Sequence, residues 1–216
     1  MDKEILESYN LIKKGCLVLG HSNIGYGLFG NSEKSLKLMF ELKGRPKTNP
    51  SIVIGNLRVF SDIAKVSTET KKIVEEVSKK YICAFVVPIN ENSNYIRNLS
   101  PWVREHSTKD NTIGVFLNTG HFTEGLTKLG ESDNLLIIGS SANISGTGNN
   151  YSLGEVEEEI KKKVDYSFDG GYAKYRNDEK LATTIINLSN NTLRRKGVFC
   201  HEIIKELREK GIIINS

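Results

Sequence analysis

Three cations occupy alternate positions in the stretch ELKGRPKTNP, residues 41–50. Lys43, Arg45 and Lys47 lie among a glycine, two prolines and an asparagine, so the stretch suits neither a helix nor the interior of a sheet. A buried strand is expected directly afterwards, and ligands of open α/β sheets bind in crevices beside strand ends. A lysine point charge near the two-pronged guanidinium of arginine suits a polyphosphate. A solvated loop after a helix is the alternative interpretation.

A second polar cluster, GSSANISG at residues 139–146, follows the apolar run LLIIG. Ser140, Ser141 and Asn143 supply hydrogen-bond donors and acceptors with little bulk, and the flanking glycines allow a ligand close to the backbone. A Ser/Asn turn that caps the next element is the alternative interpretation. A third cluster, Arg194, Arg195 and Lys196, precedes the last predicted helix, and a basic surface hairpin explains it equally well.

The remaining motifs exclude several kinds of chemistry. The Gly-rich stretch HSNIGYGLFG, residues 21–30, matches neither the dinucleotide fingerprint nor the Walker A motif. No nucleophile elbow occurs, and Cys16 has no evident histidine partner in the sequence. The spacing of the histidines and cysteines predicts no metal site. Cations, hydroxyls and amides act instead by positioning and charge stabilisation, as in phosphoryl and nucleotidyl transfer.

Length and composition indicate an ordinary globular protein. The chain has 216 residues, of which 38% are hydrophobic and 26% charged, so a single α/β domain over residues 1–216 is expected. The net charge of +4 permits contact with nucleotide or RNA without requiring it. The sequence contains no apolar run long enough for a membrane span and no signal-peptide pattern at its start. Together with the three unpaired cysteine positions, these features predict a cytoplasmic protein without a membrane partner.

Predicted strands and helices alternate along most of the chain. The helices are expected at residues 3–14, 32–43, 68–81, 122–130, 152–164 and 200–211. The strands are expected at residues 16–20, 51–56, 82–89, 112–117, 134–139, 164–171 and 183–189. Residues 21–32 are expected to form a Gly-rich loop, and residues 90–111 a long loop or short helices. This alternation predicts an α/β fold with a twisted, mostly parallel or mixed sheet flanked by helices.

The three polar clusters, in this order and spacing, resemble the YrdC-like family, whose best-known members are threonylcarbamoyl-adenylate synthases. The resemblance spans roughly residues 5–205 and includes KGRPKTNP, SANISG, TTIINL and LRRKG. It implies a sheet with a positively charged concave face. It also implies an enzyme that condenses ATP, bicarbonate and L-threonine to threonylcarbamoyl-AMP and pyrophosphate, for a tRNA modification next to the anticodon. Binding of tRNA or double-stranded RNA is a further implication.

The resemblance also assigns roles to residues. The catalytic residues that it implies are Lys43, Arg45, Ser141 and Asn143. The nucleotide-binding residues are these four with Ser140, Thr184 and Arg195, and the acceptor-binding residues are Ser22 and Tyr26. No metal ligands are implied in the protein, so Mg²⁺ is expected to bridge the phosphates of ATP. No general base is identifiable, and none is needed if the substrate carbamate itself attacks the α-phosphate.

The chain departs from the family pattern on the acceptor side. The family usually has PTxTxYGLG where this chain has HSNIGYGLFG, so His21, Ser22 and Phe29 replace its proline, threonine and last glycine. A Pro-Gly turn expected near residues 80–88 is missing, and Phe116 replaces an arginine. Three hypotheses therefore stay open: a threonylcarbamoyl-adenylate synthase, a paralogue that adenylates another carbamate, and a non-catalytic protein that binds nucleotide or double-stranded RNA.

Overall fold

The computed structural model describes residues 3–46 and 48–215, so Lys47 lies outside the described residues. The helices are α1 Lys3–Lys13, α2 Glu33–Lys43, α3 Leu57–Ile63, α4 Thr68–Lys80, α5 Asn94–Arg97, α6 Pro101–Ser107, α7 His121–Asp133, α8 Glu158–Lys163 and α9 Cys200–Glu209. The strands are β1 Val18–Ser22, β2 Gly25–Gly30, β3 Ile52–Ile54, β4 Cys83–Pro88, β5 Thr108–Lys109, β6 Thr112–Leu117, β7 Ile137–Ser141, β8 Tyr166–Ser167, β9 Ile185–Asn187 and β10 Thr192–Arg195.

The strands of the described residues form one mixed sheet in the order β10-β9-β4-β6-β3-β7-β2-β1-β8, with β5 beside β6. Parallel neighbours are β3 with β6, β4 with β9 and β1 with β8. The other neighbouring pairs are antiparallel. The predicted α/β fold with a mixed sheet is therefore confirmed. Antiparallel pairs are the more frequent kind, and short turns join three of them, β1 to β2, β5 to β6 and β9 to β10.

The Gly-rich segment differs from its prediction as a loop. His21 and Ser22 end β1, and residues 25–30 form β2, whose six residues are all buried. The strand pairs with β1 on one side and with β7 on the other. Its glycines make room for neighbours: a Cβ on Gly27 would lie 2.6 Å from Cζ of Phe29. Close packing, and not loop flexibility, therefore explains the glycine at this position.

Side chains alternate between two cores on opposite faces of the sheet, as expected for strands. In β3, Val53 packs into the core formed with α3, α4, α6 and α9, whereas Ile54 packs into the core formed with α1 and α7. A third core lies between β1, β2, α2 and α8. No helix in the described ranges 3–46 and 48–215 is long and apolar enough to cross a membrane.

The helix predicted at residues 152–164 is interrupted. A single 3₁₀ turn spans Leu153–Glu155, and α8 begins only at Glu158. Val156 between them has extended dihedral angles. The carboxylate of Glu157 accepts a hydrogen bond from Asn150 Nδ2 at 3.2 Å. This contact with the preceding loop accompanies the break in the helix.

Candidate functional site

The end of α2 determines where the two first cations point. Ser32 begins this helix with a capping box, in which Ser35 takes the place that a glutamate usually has. Gly44 ends it in the left-handed region, with φ of 54° and ψ of 35°. Because the chain turns sharply there, Lys43 stays on the buried side of the helix and Arg45 leaves in a different direction.

Lys43 is enclosed by the GSSANISG segment. Its side chain is only 1% exposed. Its ammonium donates hydrogen bonds to the carbonyl oxygen of Ser141, to the carbonyl oxygen of Asn143 at 2.8 Å and to Asn143 Oδ1 at 3.1 Å. Ser145 N in turn donates to the carbonyl oxygen of Lys43 at 2.9 Å. The two polar segments therefore meet directly, as the sequence predicted.

The surroundings of Lys43 change the pKa of its ammonium, with contributions in both directions. Burial lowers the pKa of Lys43 from 10.5 to about 7, with Arg45 and Arg195 acting in the same direction and Glu157 against it. The three acceptor oxygens around the ammonium favour its charged form. A nearby anion would add to these contacts and stabilise the protonated state of Lys43.

Arg45 is fixed by three hydrogen bonds of its guanidinium. Nε donates to the carbonyl of Asn49 at 3.0 Å, Nη2 to the carbonyl of Pro50 at 2.7 Å, and Nη1 approaches Ser140 Oγ at 3.4 Å. The guanidinium also lies 5.9 Å from the ring centre of Phe40. Burial lowers the pKa of Arg45. These contacts hold the charge beside Ser140.

Arg195 lies on the hairpin of β9 and β10. A bulge between Leu193 and Arg195 shifts the register, and Arg195 Nε donates to the carbonyl of Thr183 at 2.9 Å. Burial and the charge of Arg45 lower the pKa of Arg195 to about 10, so the guanidinium stays charged at neutral pH. Thr184 is fully buried, and its hydroxyl donates to Val198 O at 2.8 Å and accepts from Gly197 N at 3.1 Å.

These segments surround an open cavity of about 560 Å³ on the α1/α7 face of the sheet. Of the residues with predicted roles, those that line it are Ser22, Tyr26, Arg45, Ser140, Ser141 and Arg195. Lys43, Asn143 and Thr184 are buried and do not belong to the lining, but Lys43 donates a hydrogen bond to the carbonyl oxygen of Ser141, which does. The structure thus brings the predicted residues to one place, and their contacts with ligand stay predictions.

The lining includes charged residues that the sequence analysis did not assign to the site. Arg194 belongs to the basic cluster already noted, and Lys109 and Asp110 come from the segment after α6. The positive φ of Asp110, 49°, marks the turn between β5 and β6. Arg194 could have been assigned to the site from the sequence, because it is the neighbour of Arg195. No feature of the sequence distinguishes Lys109 from the other lysines.

Ser22 and Tyr26, the predicted acceptor residues, use their hydroxyls within the protein. Ser22 Oγ donates to the carbonyl of Gly25 at 2.7 Å and closes the β1–β2 turn. Tyr26 OH lies 2.7 Å from Asp169 Oδ1 and accepts from Gly170 N at 3.0 Å. Tyr26 therefore fastens the 169–171 turn to the cavity wall, and burial and Asp169 raise its pKa above the ordinary value.

The described residues contain no group of three or more histidine, cysteine, aspartate or glutamate side chains that could hold a metal ion. Among the described residues of the lining, Asp110 is the one carboxylate. This donor set does not form an all-protein cage for Mg²⁺, which binds proteins through few carboxylates and substrate phosphates.

Fold and cavity together define an α/β protein with a pocket of cations and hydroxyls on one face of a mixed sheet. A family model described as Sua5_yciO_yrdC, telomere recombination, matches residues 10–197. The chain belongs to this Sua5/YciO/YrdC family.

A curated relative is the threonylcarbamoyl-AMP synthase of Pyrococcus abyssi, 27% identical over 203 residues, with 92% of this chain and 55% of that protein covered. The crystal structure of P. abyssi Sua5 complexed with L-threonine superposes with a TM-score of 0.76 at 28% identity, covering 98% of this chain and 58% of that chain. E. coli YciO superposes with a TM-score of 0.70 at 18% identity, covering 91% of this chain and 90% of that chain, which shows the shared fold. The chain thus spans about half the length of the curated relative.

Proposed function

We propose that this protein is a nucleotidyltransferase of the threonylcarbamoyl-AMP synthase type that acts in tRNA threonylcarbamoyladenosine modification. The observation that carries the proposal is the meeting of Arg45, Arg195 and Ser140 at one cavity, drawn from three distant segments. Family membership and the curated relative support the same reaction class. L-Threonine, bound by the related P. abyssi protein, is the first acceptor to test.

The proposed reaction has two steps. The acceptor amine and bicarbonate form a carbamate and release water. A carbamate oxygen then attacks the α-phosphorus of ATP, the bond between the α-phosphorus and its bridging oxygen breaks, and pyrophosphate leaves with the electron pair. The carbamate brings its own nucleophilic oxygen, so the step needs positioning and charge neutralisation more than a protein base.

The cavity residues supply these two contributions. Arg45 and Arg195 would neutralise the triphosphate and the departing pyrophosphate, each guanidinium being already fixed by backbone carbonyls. Ser140 and Ser141 would donate hydrogen bonds to phosphate oxygens. Lys43, Asn143 and Thr184 would act through the backbone that they hold, and Lys43 also through its charge. Mg²⁺ would arrive with ATP and offset phosphate charge, held by phosphate oxygens and water.

The paralogue hypothesis also has a specific observation in its favour. Phe29 and Phe116 both line the cavity, on the acceptor side according to the family resemblance. An acceptor other than threonine would leave the adenylation step unchanged. Both hypotheses therefore predict ATP binding and pyrophosphate release, and they differ in the amine consumed.

The test is an assay of the purified protein with ATP, Mg²⁺ and bicarbonate, with and without L-threonine. Pyrophosphate is quantified with a coupled enzyme, and the acyl-adenylate is identified by mass spectrometry. We expect acceptor-dependent pyrophosphate release that Arg45→Ala and Arg195→Ala abolish, and that the exposed Arg97→Ala leaves intact. Salt-dependent binding of double-stranded RNA without ATP binding would overturn the proposal and favour the non-catalytic hypothesis.

A further inference from the structure

The bulge in β10 brings two successive arginines to the cavity. Leu193 and Arg195 pair with consecutive residues of β9, so Arg194 between them is an extra residue on the bulged strand. In a regular strand, neighbouring side chains point to opposite faces of the sheet. A bulge breaks this alternation and redirects a side chain. Arg194 and Arg195 accordingly both line the cavity.

The guanidinium of Arg194 differs from those of Arg45 and Arg195 in its hydrogen bonds. Arg45 donates to the carbonyl oxygen of Pro50 at 2.7 Å, and Arg195 donates to that of Thr183 at 2.9 Å. Within residues 3–46 and 48–215, the side chain of Arg194 forms no hydrogen bond, ion pair or ring contact. Arg194 is exposed, so all of its side-chain N–H donors are available to a ligand.

The lining carries more positive than negative charge. Its cations are Arg45, Lys109, Arg194 and Arg195, whereas Asp110 is the one carboxylate in the described part of the lining. An anionic ligand would neutralise this excess. A guanidinium binds phosphate oxygens through two parallel hydrogen bonds, and such charge-assisted bonds are stronger than neutral ones. The free guanidinium of Arg194 therefore fits a phosphate group.

The exposure of Arg194 indicates which phosphate it would meet. The charge of Arg45 lowers the pKa of Arg195, so these two guanidinia lie close enough to contact one stretch of phosphate. Arg194 is the direct neighbour of Arg195 and lies on the exposed side of the lining. It would thus contact the part of a triphosphate nearest to solvent. In the proposed adenylation that part is the pyrophosphate, which must leave to solvent while the α-phosphate stays in the adenylate.

We propose that Arg194 is a catalytic residue whose guanidinium binds the departing pyrophosphate. This inference rests on the proposed adenylation and adds a residue to it. The carbamate oxygen bonds to the α-phosphorus, the bond from this phosphorus to its bridging oxygen breaks, and the electron pair stays on the pyrophosphate. Arg194 donates hydrogen bonds to the pyrophosphate oxygens and transfers no proton. Negative charge grows on this group as the bond breaks, so the contact is strongest in the transition state and raises the rate.

The first experiment compares ligands with and without the pyrophosphate group. α,β-Methylene-ATP with Mg²⁺ and AMP are each titrated into the unaltered protein, Arg194→Ala and Lys196→Ala, and binding is measured by calorimetry. Lys196 has the same charge in the same segment but is exposed outside the lining, so it is the matched control. We expect Arg194→Ala to weaken α,β-methylene-ATP binding by roughly tenfold or more, the loss of a charge-assisted hydrogen bond, and to leave AMP binding unchanged. An equal loss for both ligands, or a loss for neither, would overturn the inference.

Steady-state kinetics separate this role from binding of the acceptor. With L-threonine as acceptor, Arg194→Ala is expected to lower kcat for adenylate formation by roughly tenfold or more, with the KM for L-threonine unchanged. Inhibition by added pyrophosphate should weaken by a similar factor. Arg194→Lys keeps the charge without the planar fork and should recover part of the loss. A raised KM for L-threonine with an unchanged kcat would contradict the inference, because Arg194 would then bind the acceptor carboxylate.

Nucleotide binding by the unaltered protein separates this inference from the proposed function. If α,β-methylene-ATP does not bind, the proposed function and the inference are both wrong. If the unaltered protein and Arg194→Ala bind it equally, the adenylation proposal stands and Arg194 is excluded as a pyrophosphate ligand. Circular dichroism verifies the fold of each variant, which replacement of an exposed side chain should leave intact.

Discussion

Lys43 and Asn143 are joined by two hydrogen bonds although 100 residues of sequence separate them. The ammonium donates to the backbone oxygen of Asn143 at 2.8 Å and to its Oδ1 at 3.1 Å. Each residue is almost completely buried. The lysine of the first polar segment therefore fixes the backbone of the second, and Ser140 and Ser141 line the cavity at the end of β7, where Lys43 binds the carbonyl oxygens of Ser141 and Asn143.

This pair should show measurable coupling. Asn143→Ala removes one acceptor of a buried ammonium and is expected to lower the free energy of unfolding by about 1–3 kcal/mol. In a Lys43→Met background the same change should cost less, because Oδ1 no longer has its partner. Urea unfolding of both single variants and the double variant measures the coupling. The exposed Asn94→Ala is the matched control, and additive effects of the pair would contradict direct contact.

Nucleotide binding should weaken with rising pH because of Lys43. Its pKa of about 7 in the unliganded protein lies below the ordinary 10.5, so the residue loses its proton as the pH rises above 7. Bound polyphosphate favours the protonated form, and binding therefore takes up a proton between pH 7 and 9. Calorimetry in buffers of different ionisation enthalpy measures this uptake. Persistence of the same proton uptake in Lys43→Met would assign it to another group.

The lowered pKa of Lys43 also predicts how the free energy of unfolding changes with pH. Between pH 7 and 10.5 the unfolded chain binds more protons at residue 43 than the folded chain, so the contribution of Lys43 to stability increases with pH in this window. Lys43→Met should lose that increase. Urea unfolding of the unaltered protein and of Lys43→Met, each at pH 7 and pH 9, measures this difference.

The planar guanidinium of Arg45 should be needed in addition to its charge. Its three nitrogens bind Asn49, Pro50 and Ser140 from one plane, which an ammonium cannot reproduce. We expect Arg45→Lys to weaken α,β-methylene-ATP binding by roughly tenfold or more, the loss of a charge-assisted hydrogen bond. Equilibrium titration measures it, with Arg97→Lys as the control on the exposed surface. Unchanged affinity would show that charge alone suffices.

The hydroxyl of Tyr26 is expected to matter for stability. Tyr26→Phe removes the contacts with Asp169 and Gly170, and should lower the free energy of unfolding by about 1 kcal/mol or somewhat more. Tyr172→Phe, at a position that is 67% exposed, is the matched control. Thermal unfolding measures both, and nucleotide affinity should stay unchanged. A selective loss of acceptor binding in Tyr26→Phe would assign a direct substrate contact to the hydroxyl.

The amphipathic helices and the apolar strands were predictable because their periodicity reflects burial. The periodicity of α1, α4 and α9 and the apolar runs of β4 and β6 predict elements close to those observed. Strand β2 was missed because its glycines reflect close packing, against Phe29 on the same strand and against residues of other segments such as Asn150. Helix α3 was also missed, although Asn56 caps it by accepting a hydrogen bond from Val59 N at 3.0 Å, a signal that sequence can carry.

The candidate site was also only partly predictable, because contacts between distant residues decide which side chains face the cavity. Sequence spacing located the cations, hydroxyls and amides, and the structure brings them together. Which of them face the cavity depends on the turn at Gly44 and on the bulge beside Arg195. Lys43 follows Leu36 by seven residues, so helical spacing places it on the buried face of α2, apart from the exposed Lys34 and Lys37. Its partners lie about 100 positions away in the sequence, and these contacts are not predictable from local spacing.

The cavity wall is assembled from chain segments that range from Ser22 on β1 to Arg195 on β10. During synthesis on a ribosome the last of these segments appears only after nearly the whole polypeptide has been made. At typical translation rates of about 5–20 residues per second, the segment that carries Arg195 appears several seconds after the one that carries Ser140 and Ser141. This segment order makes the assembly of the complete cavity a late event in biogenesis.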